Sequence, residues 1–294
     1  MSLRLYDAHN HLQDDRFGGR QGELLAACAR EGVVRMVVNG SCEADWPQVL
    51  ALAQAHPQVL PSFGYHPWYV HERSPDWLTR LGEFLDRAPS AVGEIGLDRW
   101  KPGLSYAQQE EVFAAQLSLA AARDRPVSIH CLQAWGRLFD LLRCTPRPRC
   151  GFLLHSFGGP QEMIGPLAGL GAYCGLPGYF AHARKVRQRE SFRHVPPDRL
   201  LIETDAPDQC LPEMPQATAA MQKVLGQVAV HALADPTSGR AINHPANLRA
   251  VYEFAAEWLD EPVASLAARV EENFLRLFGG LASVGRDGAR QNTA

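Results

Sequence analysis

Short apolar runs alternate with longer amphipathic segments along most of the chain. The apolar runs predict eight strands, at 3–8, 33–39, 59–64, 91–95, 127–130, 151–155, 171–175 and 199–204. The amphipathic segments predict helices at 20–31, 44–55, 75–86, 105–124, 133–143, 160–169, 180–192, 216–233, 247–259 and 263–278. A helix after almost every strand is typical of a parallel sheet that is covered by helices.

Eight such units without a linker-like change in composition predict an α/β fold, a single (β/α)8 TIM barrel that spans residues 1–279. A doubly wound open sheet is the alternative that the pattern leaves open. Three prolines in 206–215 predict a loop over one end of the barrel. The small and polar residues of 280–294 predict a flexible C-terminal tail.

Composition narrows the class of protein. Of 294 residues, 46% are hydrophobic and 21% are charged, which argues against a disordered or fibrous chain. The net charge of -3 provides no general attraction for duplex nucleic acid, so a nucleic-acid substrate would need a local site. Seven cysteines without a Cys-x-x-Cys pair predict reduced, mostly buried thiols. No apolar run reaches the length of a membrane span, so we expect a cytoplasmic protein with no membrane association and no obligate protein partner.

Candidate chemistry begins at the first strand, which ends in Asp7-Ala8-His9-Asn10-His11. Alternate residues of a strand point to the same side, so His9 and His11 could share one metal ion. The spacing alone is a modest signal, because core and surface histidines also occur at this distance. We expect Asp7 either to orient a ligand histidine or to form a hydrogen bond of the strand end.

Four further ionisable residues close predicted strands, namely Glu94, His130, His155 and Asp205. In a parallel barrel these strand ends meet at the face where barrel enzymes carry out their chemistry. Four histidines and two carboxylates provide the nitrogen and oxygen donors that a pair of divalent ions needs. Some metal-dependent barrel hydrolases bridge two ions with a carbamylated lysine at a strand end. The lysines of this chain, Lys101, Lys185 and Lys223, all lie away from strand ends, so Glu94 is the natural bridging ligand.

Other residues at this face could contact a substrate. His66 closes the third strand and could bind a scissile phosphate, or it could pack beneath the next loop. Arg99 and Lys101 could contact a phosphate backbone, or they could be solvated loop charges. The aromatic residues that could stack on single-stranded bases, or could simply pack, are Trp68, Tyr69, Trp100, Tyr179 and Phe180.

The motifs in this order resemble those of the TatD family of metal-dependent deoxyribonucleases, in the amidohydrolase superfamily. They are Asp7-Ala8-His9-Asn10-His11-Leu12, Gly64-Tyr65-His66-Pro67, Gly93-Glu94-Ile95-Gly96-Leu97-Asp98, Pro126-Val127-Ser128-Ile129-His130, His155-Ser156-Phe157, Glu203-Thr204-Asp205-Ala206-Pro207 and the late Asn273-Phe274. The resemblance covers residues 3–279. It implies a barrel that binds two divalent ions and hydrolyses phosphodiester bonds in DNA.

By motif position, the resemblance implies that His9, His11, Glu94 and Asp205 hold one ion, and that Glu94, His130 and His155 hold the other. Zinc, magnesium, manganese and nickel all suit these ligands. Two ions would convert a bridging water into a hydroxide nucleophile. Glu94 and Asp205 are the predicted catalytic residues, and Asp205 could accept the proton of the nucleophile.

The sequence therefore predicts a metal-dependent hydrolase, most consistent with an exonuclease whose partner is single-stranded DNA. The alternatives are a two-metal hydrolase of a small ester, lactone or phosphoester, and a metal-binding barrel without catalysis. Three departures from the family make its usual substrate a weaker expectation for this chain, and one of them is the distinctive segment 209–242. Asp208 stands where an aromatic residue is frequent and would repel a phosphodiester, and His244 stands where a glutamate is common.

Overall fold

The computed structural model describes residues 3–281 and shows eight parallel strands in chain order. The strands are β1 (Leu5–Asn10), β2 (Val33–Asn39), β3 (Val59–Phe63), β4 (Ala91–Asp98), β5 (Val127–Leu132), β6 (Phe152–Leu154), β7 (Ala172–Pro177) and β8 (Leu200–Glu203). Each strand pairs with the next one. Nearly every strand residue is buried, as expected when helices cover the outside and side chains fill the inside. The predicted TIM barrel is confirmed.

The sheet closes where β1 meets the end of β8. The backbone N–H of Asp205 donates to His9 O at 2.9 Å, and that of His11 donates to Ala206 O at 2.7 Å. The buried carboxylate of Asp7 accepts the backbone N–H of Thr204 at 3.0 Å and its hydroxyl at 2.6 Å. The first and last strands are thus joined at the level of the candidate ligands.

Ten α-helices surround this sheet within residues 3–281. They are α1 (Gln21–Arg30), α2 (Trp46–Ala55), α3 (Trp77–Arg87), α4 (Tyr106–Ala122), α5 (Trp135–Cys144), α6 (Ile164–Gly169), α7 (Val186–Ser191), α8 (Ala219–Leu225), α9 (Leu248–Leu259) and α10 (Val263–Phe278). The N-caps of α4 and α8 are Ser105 and Thr218, whose hydroxyls accept backbone N–H groups of the first turn. Each of these helices falls within or close to a predicted one.

Two predicted helices are much shorter than expected. The helix predicted at 180–192 is mostly short 3-10 turns, and only Val186–Ser191 is α-helical. Here the Arg189 side chain donates to the backbone carbonyls of Phe180 and His182, so these carbonyls need no helical partner. The helix predicted at 216–233 extends only over α8, which ends before Gly226. In the first of these segments, side-chain hydrogen bonds to the backbone override the amphipathic pattern on which the prediction was based.

The loop after β8 has the predicted form, whereas the burial of the cysteines differs from the prediction. The stretch 206–215 is a loop apart from the start of a 3-10 turn at Met214–Gln216, as predicted. All seven cysteines are free, but only Cys28, Cys131 and Cys174 are buried, so the expectation that most are buried was wrong. Within residues 3–281, every helix is too short or too polar to cross a bilayer. Of the predicted tail, Leu281 packs against the core, and 282–294 lie outside the described residues.

Candidate metal centre

His9, in β1, and His11, the residue after this strand, lie side by side at its carboxyl end. Their Nε2 atoms are 3.2 Å apart. His11 Nδ1 is 2.8 Å from the carbonyl oxygen of Asn39, and His9 Nδ1 is 2.8 Å from the hydroxyl of Ser128. A carbonyl can only accept, so Nδ1 of His11 carries a proton, and Nε2 is the nitrogen that can offer a lone pair to a metal ion in place of its proton.

Glu94 lies between two pairs of histidines. Its Oε2 is 3.1 Å from His11 Nε2 and 3.4 Å from His9 Nε2. Its Oε1 is 2.9 Å from His155 Nε2 and 3.0 Å from His130 Nδ1. The two oxygens of one buried carboxylate therefore face two separate sets of nitrogen atoms.

Glu94 and His130 do not close their strands, which corrects two predictions, and β5 continues past His130 to Leu132. β4 continues to Asp98, and its pairing with β5 is irregular between Val92 and Ile95. At this irregularity the Glu94 N–H donates to Gly40 O at 2.9 Å. Gly96 then brings the strand so close to β5 that an added Cβ would lie 2.0 Å from the His130 carbonyl oxygen. Here glycine is required, because its φ of +152° and the close approach both exclude a side chain.

Asp205 follows β8 and completes the set on the side of β1. Its Oδ1 is 3.5 Å from His9 Nε2 and 3.7 Å from His11 Nε2. Its other oxygen, Oδ2, accepts the side-chain amide of Gln209 at 2.6 Å. Asp205 has a φ of +53° and Gln209 one of +51°, conformations that non-glycine residues rarely adopt outside sites where the surrounding structure enforces them.

The structure thus brings all six predicted ligands together. Their fit to metal ions depends on which of their buried atoms lack a hydrogen-bond partner. Oε1 of Glu94 has no hydrogen-bond donor among the described residues, although two imidazole nitrogens lie within 3.0 Å. Nε2 of His130 faces the acceptor Asp98 Oδ2 at 2.9 Å, so Nε2 carries the proton of the neutral ring. The other nitrogen, Nδ1, then directs its lone pair at Glu94 Oε1. Two lone pairs at this distance repel each other unless a proton or a metal cation lies between them, and a site with this demand and these donor atoms fits metal ions.

The pKa values of the cluster follow from two opposing causes, the burial of each group and the charges of its neighbours. Burial opposes ionisation of Glu94, but His155, His66 and His9 hold the pKa of this carboxyl well below its usual range. Burial also opposes protonation of His11, yet Glu94 and Asp205 raise its pKa to about 9. For His9 burial prevails and lowers the pKa to about 3. In Asp205 burial raises the pKa to about 7.

His66 lies three residues beyond β3, so it does not close that strand as predicted, and its Nε2 is 3.5 Å from Glu94 Oε1. Its Nδ1 accepts the backbone N–H of Trp68 at 3.2 Å, so the proton of the neutral ring resides on Nε2. Burial lowers the pKa of His66 well below its ordinary value, which keeps the ring neutral. His66 therefore presents a hydrogen-bond donor to the site, whereas His11 and His130 can offer lone pairs to a metal ion.

Three buried residues that orient these histidines were not singled out from the sequence. Asp98 accepts from His130, Ser128 contacts His9, and Glu203 Oε1 lies 3.7 Å from His155 Nδ1. Glu203 could have been recognised as a lone carboxylate in a buried apolar strand, because such a group needs a partner. Asp98 could not, because the predicted strand ended three residues before it.

The surroundings of the site alter three expectations about the rim. Asp208 was expected to repel a phosphodiester, but Arg16 pairs with it through two 2.8 Å hydrogen bonds and also contacts Asp14. His244 is buried, and its Nδ1 accepts the N–H of Ala246 at the start of a short 3-10 turn. Phe180 is buried, so it packs, which is one of the two roles expected for it, and it does not offer its ring to a base.

A parallel eight-stranded barrel with histidines and carboxylates gathered at the carboxyl ends of its strands defines a metal-dependent hydrolase. Residues 6–279 match the sequence model of the family described as TatD related DNase, and the chain belongs to this family.

Similar proteins agree with this assignment. The chain is 32% identical over 278 residues to a 3'-5' ssDNA/RNA exonuclease TatD of Edwardsiella piscicida. This match covers 93% of this chain and 99% of that protein. It is 31% identical over 234 residues to the uncharacterized metal-dependent hydrolase YjjV of Escherichia coli K12, over 76% of this chain and 90% of that protein. The crystal structure of YjjV superposes with a TM-score of 0.81 and 27% identity, and covers 95% of this chain and 99% of that one.

Proposed function

We propose that the protein is a two-metal phosphodiesterase that hydrolyses DNA, acting as an exonuclease on single strands. The central observation is the position of Glu94, whose two oxygens each lie within 3.1 Å of different histidines. One ion would be held by His9, His11, Glu94 and Asp205, and the other by Glu94, His130 and His155. The relative from Edwardsiella piscicida, named as acting on single-stranded DNA and RNA, supports the choice of substrate.

When bound, two divalent cations would lower the pKa of a water molecule and stabilise negative charge on a phosphate. Asp205 would accept the proton of the attacking water. This role is supported by the position of Oδ1, which faces His9, and by the hydrogen bond from Gln209 that orients Oδ2. His66 presents its Nε2–H beside Glu94 and would donate it to a non-bridging phosphate oxygen. Glu94 carries no proton, and its role is to hold both halves of the site at a fixed separation.

The test is hydrolysis of end-labelled DNA by the metal-reconstituted protein. Glu94→Ala and Asp205→Asn are compared with Gln54→Ala, an exposed change on α2 that should have no effect. We expect progressive shortening of single strands, slower shortening of duplexes, and loss of at least about 10³-fold in rate in both site variants. A single-stranded RNA arm tests whether the sugar matters.

A panel of 4-nitrophenyl esters and phosphodiesters separates the alternatives. Turnover of a carbonyl ester without cleavage of any nucleic acid would reject the nuclease and retain a metal-dependent hydrolase. An inert protein with full metal content would reject catalysis altogether. Cleavage that survives both site substitutions would place the chemistry elsewhere.

A further inference from the structure

The turn that follows β4 carries an exposed tryptophan between two cations. Trp100 is 60% exposed, more than any other large hydrophobic side chain in residues 3–281. Arg99 and Lys101 flank it, and within the described part of the chain neither forms an ion pair with a carboxylate. A basic and aromatic turn is the combination that proteins use to hold single-stranded nucleic acid.

The ring of Trp100 differs from those of the other aromatic residues at the rim. Lys101 lies over Trp68 with its Nζ 4.5 Å from the ring centre, and both Arg184 and Lys185 lie over Tyr179. Across residues 3–281, Trp100 has no such aromatic or cation contact on either face. Its ring is therefore free to stack on a planar ligand.

The turn is also held rigidly against the candidate metal centre. Asp98 Oδ1 accepts the backbone N–H of Trp100 at 2.6 Å and that of Lys101 at 3.0 Å. Asp98 Oδ2 faces His130 Nε2 at 2.9 Å and accepts the indole N–H of Trp68 at 2.7 Å. One carboxylate thus fixes both a proposed metal ligand and the turn, and Trp100 lies only two residues, at most about 7 Å of chain, from Asp98.

We propose that Trp100 is a stacking platform for a base of single-stranded nucleic acid, and that Lys101 binds an adjoining phosphate. This inference rests on the proposed function and assigns it a substrate subsite. The fixed turn lowers the conformational entropy that binding would cost, since the backbone around Trp100 is ordered before a strand arrives. Lys101, whose charge no carboxylate neutralises although it lies over the Trp68 ring, supplies the charge that a phosphate backbone requires.

Binding and turnover are measured on the full-length, metal-reconstituted protein. Binding of a fluorescein-labelled single-stranded oligodeoxythymidine is followed by anisotropy in the Asp205→Asn background, which keeps the strand intact. Trp100→Ala should weaken binding about tenfold, and Trp100→Phe should restore most of it because a phenyl ring also stacks. Lys101→Ala should reduce the slope of log affinity against log salt by about 0.7.

Matched controls use the opposite face and a smaller substrate. Arg149→Ala removes a cation that precedes β6, at the other end of the barrel, and should leave the salt slope unchanged. Methyl 4-nitrophenyl phosphate reports on the metal centre without a neighbouring base, so Trp100→Ala should leave its turnover within about twofold of the wild-type rate.

The outcomes distinguish this inference from the proposed function. If the wild type cleaves single strands and Trp100→Ala binds them equally well, the platform is rejected and the nuclease stands. If Trp100→Ala lowers turnover of the small phosphodiester as much as that of DNA, Trp100 supports the fold and is no platform. If the wild type neither binds nor cleaves strands while it hydrolyses the small phosphodiester, both proposals fail.

Discussion

The side-chain amide of Gln209 donates one hydrogen bond to Asp205 Oδ2 at 2.6 Å and another to Ser156 Oγ at 2.7 Å. Ser156 in turn donates its hydroxyl to Glu203, the buried carboxylate beside His155. Ser156, Asp205 and Gln209 all have positive φ values. A polar network on constrained backbone therefore connects the two sides of the candidate metal centre.

Removing this amide should impair catalysis more than metal binding. In Gln209→Ala, Asp205 Oδ2 loses its hydrogen-bond donor, and we expect kcat on single-stranded DNA to fall about tenfold with metal content unchanged. Gln209→Glu should be slower still, because a second carboxylate would face Asp205. Steady-state kinetics together with metal analysis check this, with Gln54→Ala as the control. A rise in KM alone would show that Gln209 acts on binding and not on Asp205.

The division of ligands around Glu94 predicts the metal content of single variants. The wild type should bind two ions per chain, while His11→Ala and His130→Ala should each bind one, because each removes a ligand of a different ion. Glu94→Ala should weaken both. Elemental analysis after dialysis measures the ratio, and His71→Ala, an exposed histidine outside the site, should retain two ions. Loss of both ions from either histidine variant would argue against separate sites.

Asp98 should contribute to stability in a pH-dependent way. Burial opposes its ionisation, but hydrogen bonds from His130, Lys101 and Trp68 lower its pKa to about 2. The stabilisation by the charged form is therefore complete above the unfolded pKa near 4 and is lost as pH falls towards 2. At pH 7, Asp98→Asn should lower the free energy of unfolding by about 2 kcal/mol, because an amide replaces one acceptor oxygen.

Guanidinium unfolding of the metal-free protein between pH 7 and pH 3 tests this prediction. The difference between wild type and Asp98→Asn should shrink at the acid end of the series. Asp140→Asn, an exposed change on α5, supplies the baseline. A difference that stayed constant with pH would mean that the charge of Asp98 is not what stabilises the fold.

Arg16 and Asp208 should set the charge at one side of the rim. Arg16→Ala leaves Asp14 and Asp208 without their partner, so KM for single-stranded DNA should rise about threefold at low salt. Asp208→Ala frees part of the Arg16 charge and should lower KM by a similar factor. Both effects should fade at 0.5 M salt. Equal KM values in all three proteins at low salt would show that the strand does not approach this pair.

The positions of the strands could be predicted because buried parallel strands are nearly continuous apolar runs. For the same reason the six candidate ligands could be recognised, since a charged or imidazole side chain within such a run or directly after it stands out. Asp98 escaped notice because β4 continues past an irregularity that no local pattern encodes. Gln209 lies in a loop whose backbone is fixed by contacts with Asp205 and Ser156, and these contacts exist only once the barrel has closed.

The barrel closes through Asp7 and Thr204, which are 197 positions apart in the chain. His9 and His11 are synthesised first, and Asp205 follows only after all eight strands have been made. A nascent chain that ends before Asp205, or a proteolytic fragment that begins after His11, holds only part of the candidate ligand set. The connectivity of the fold therefore completes this set only once the whole sheet has been synthesised.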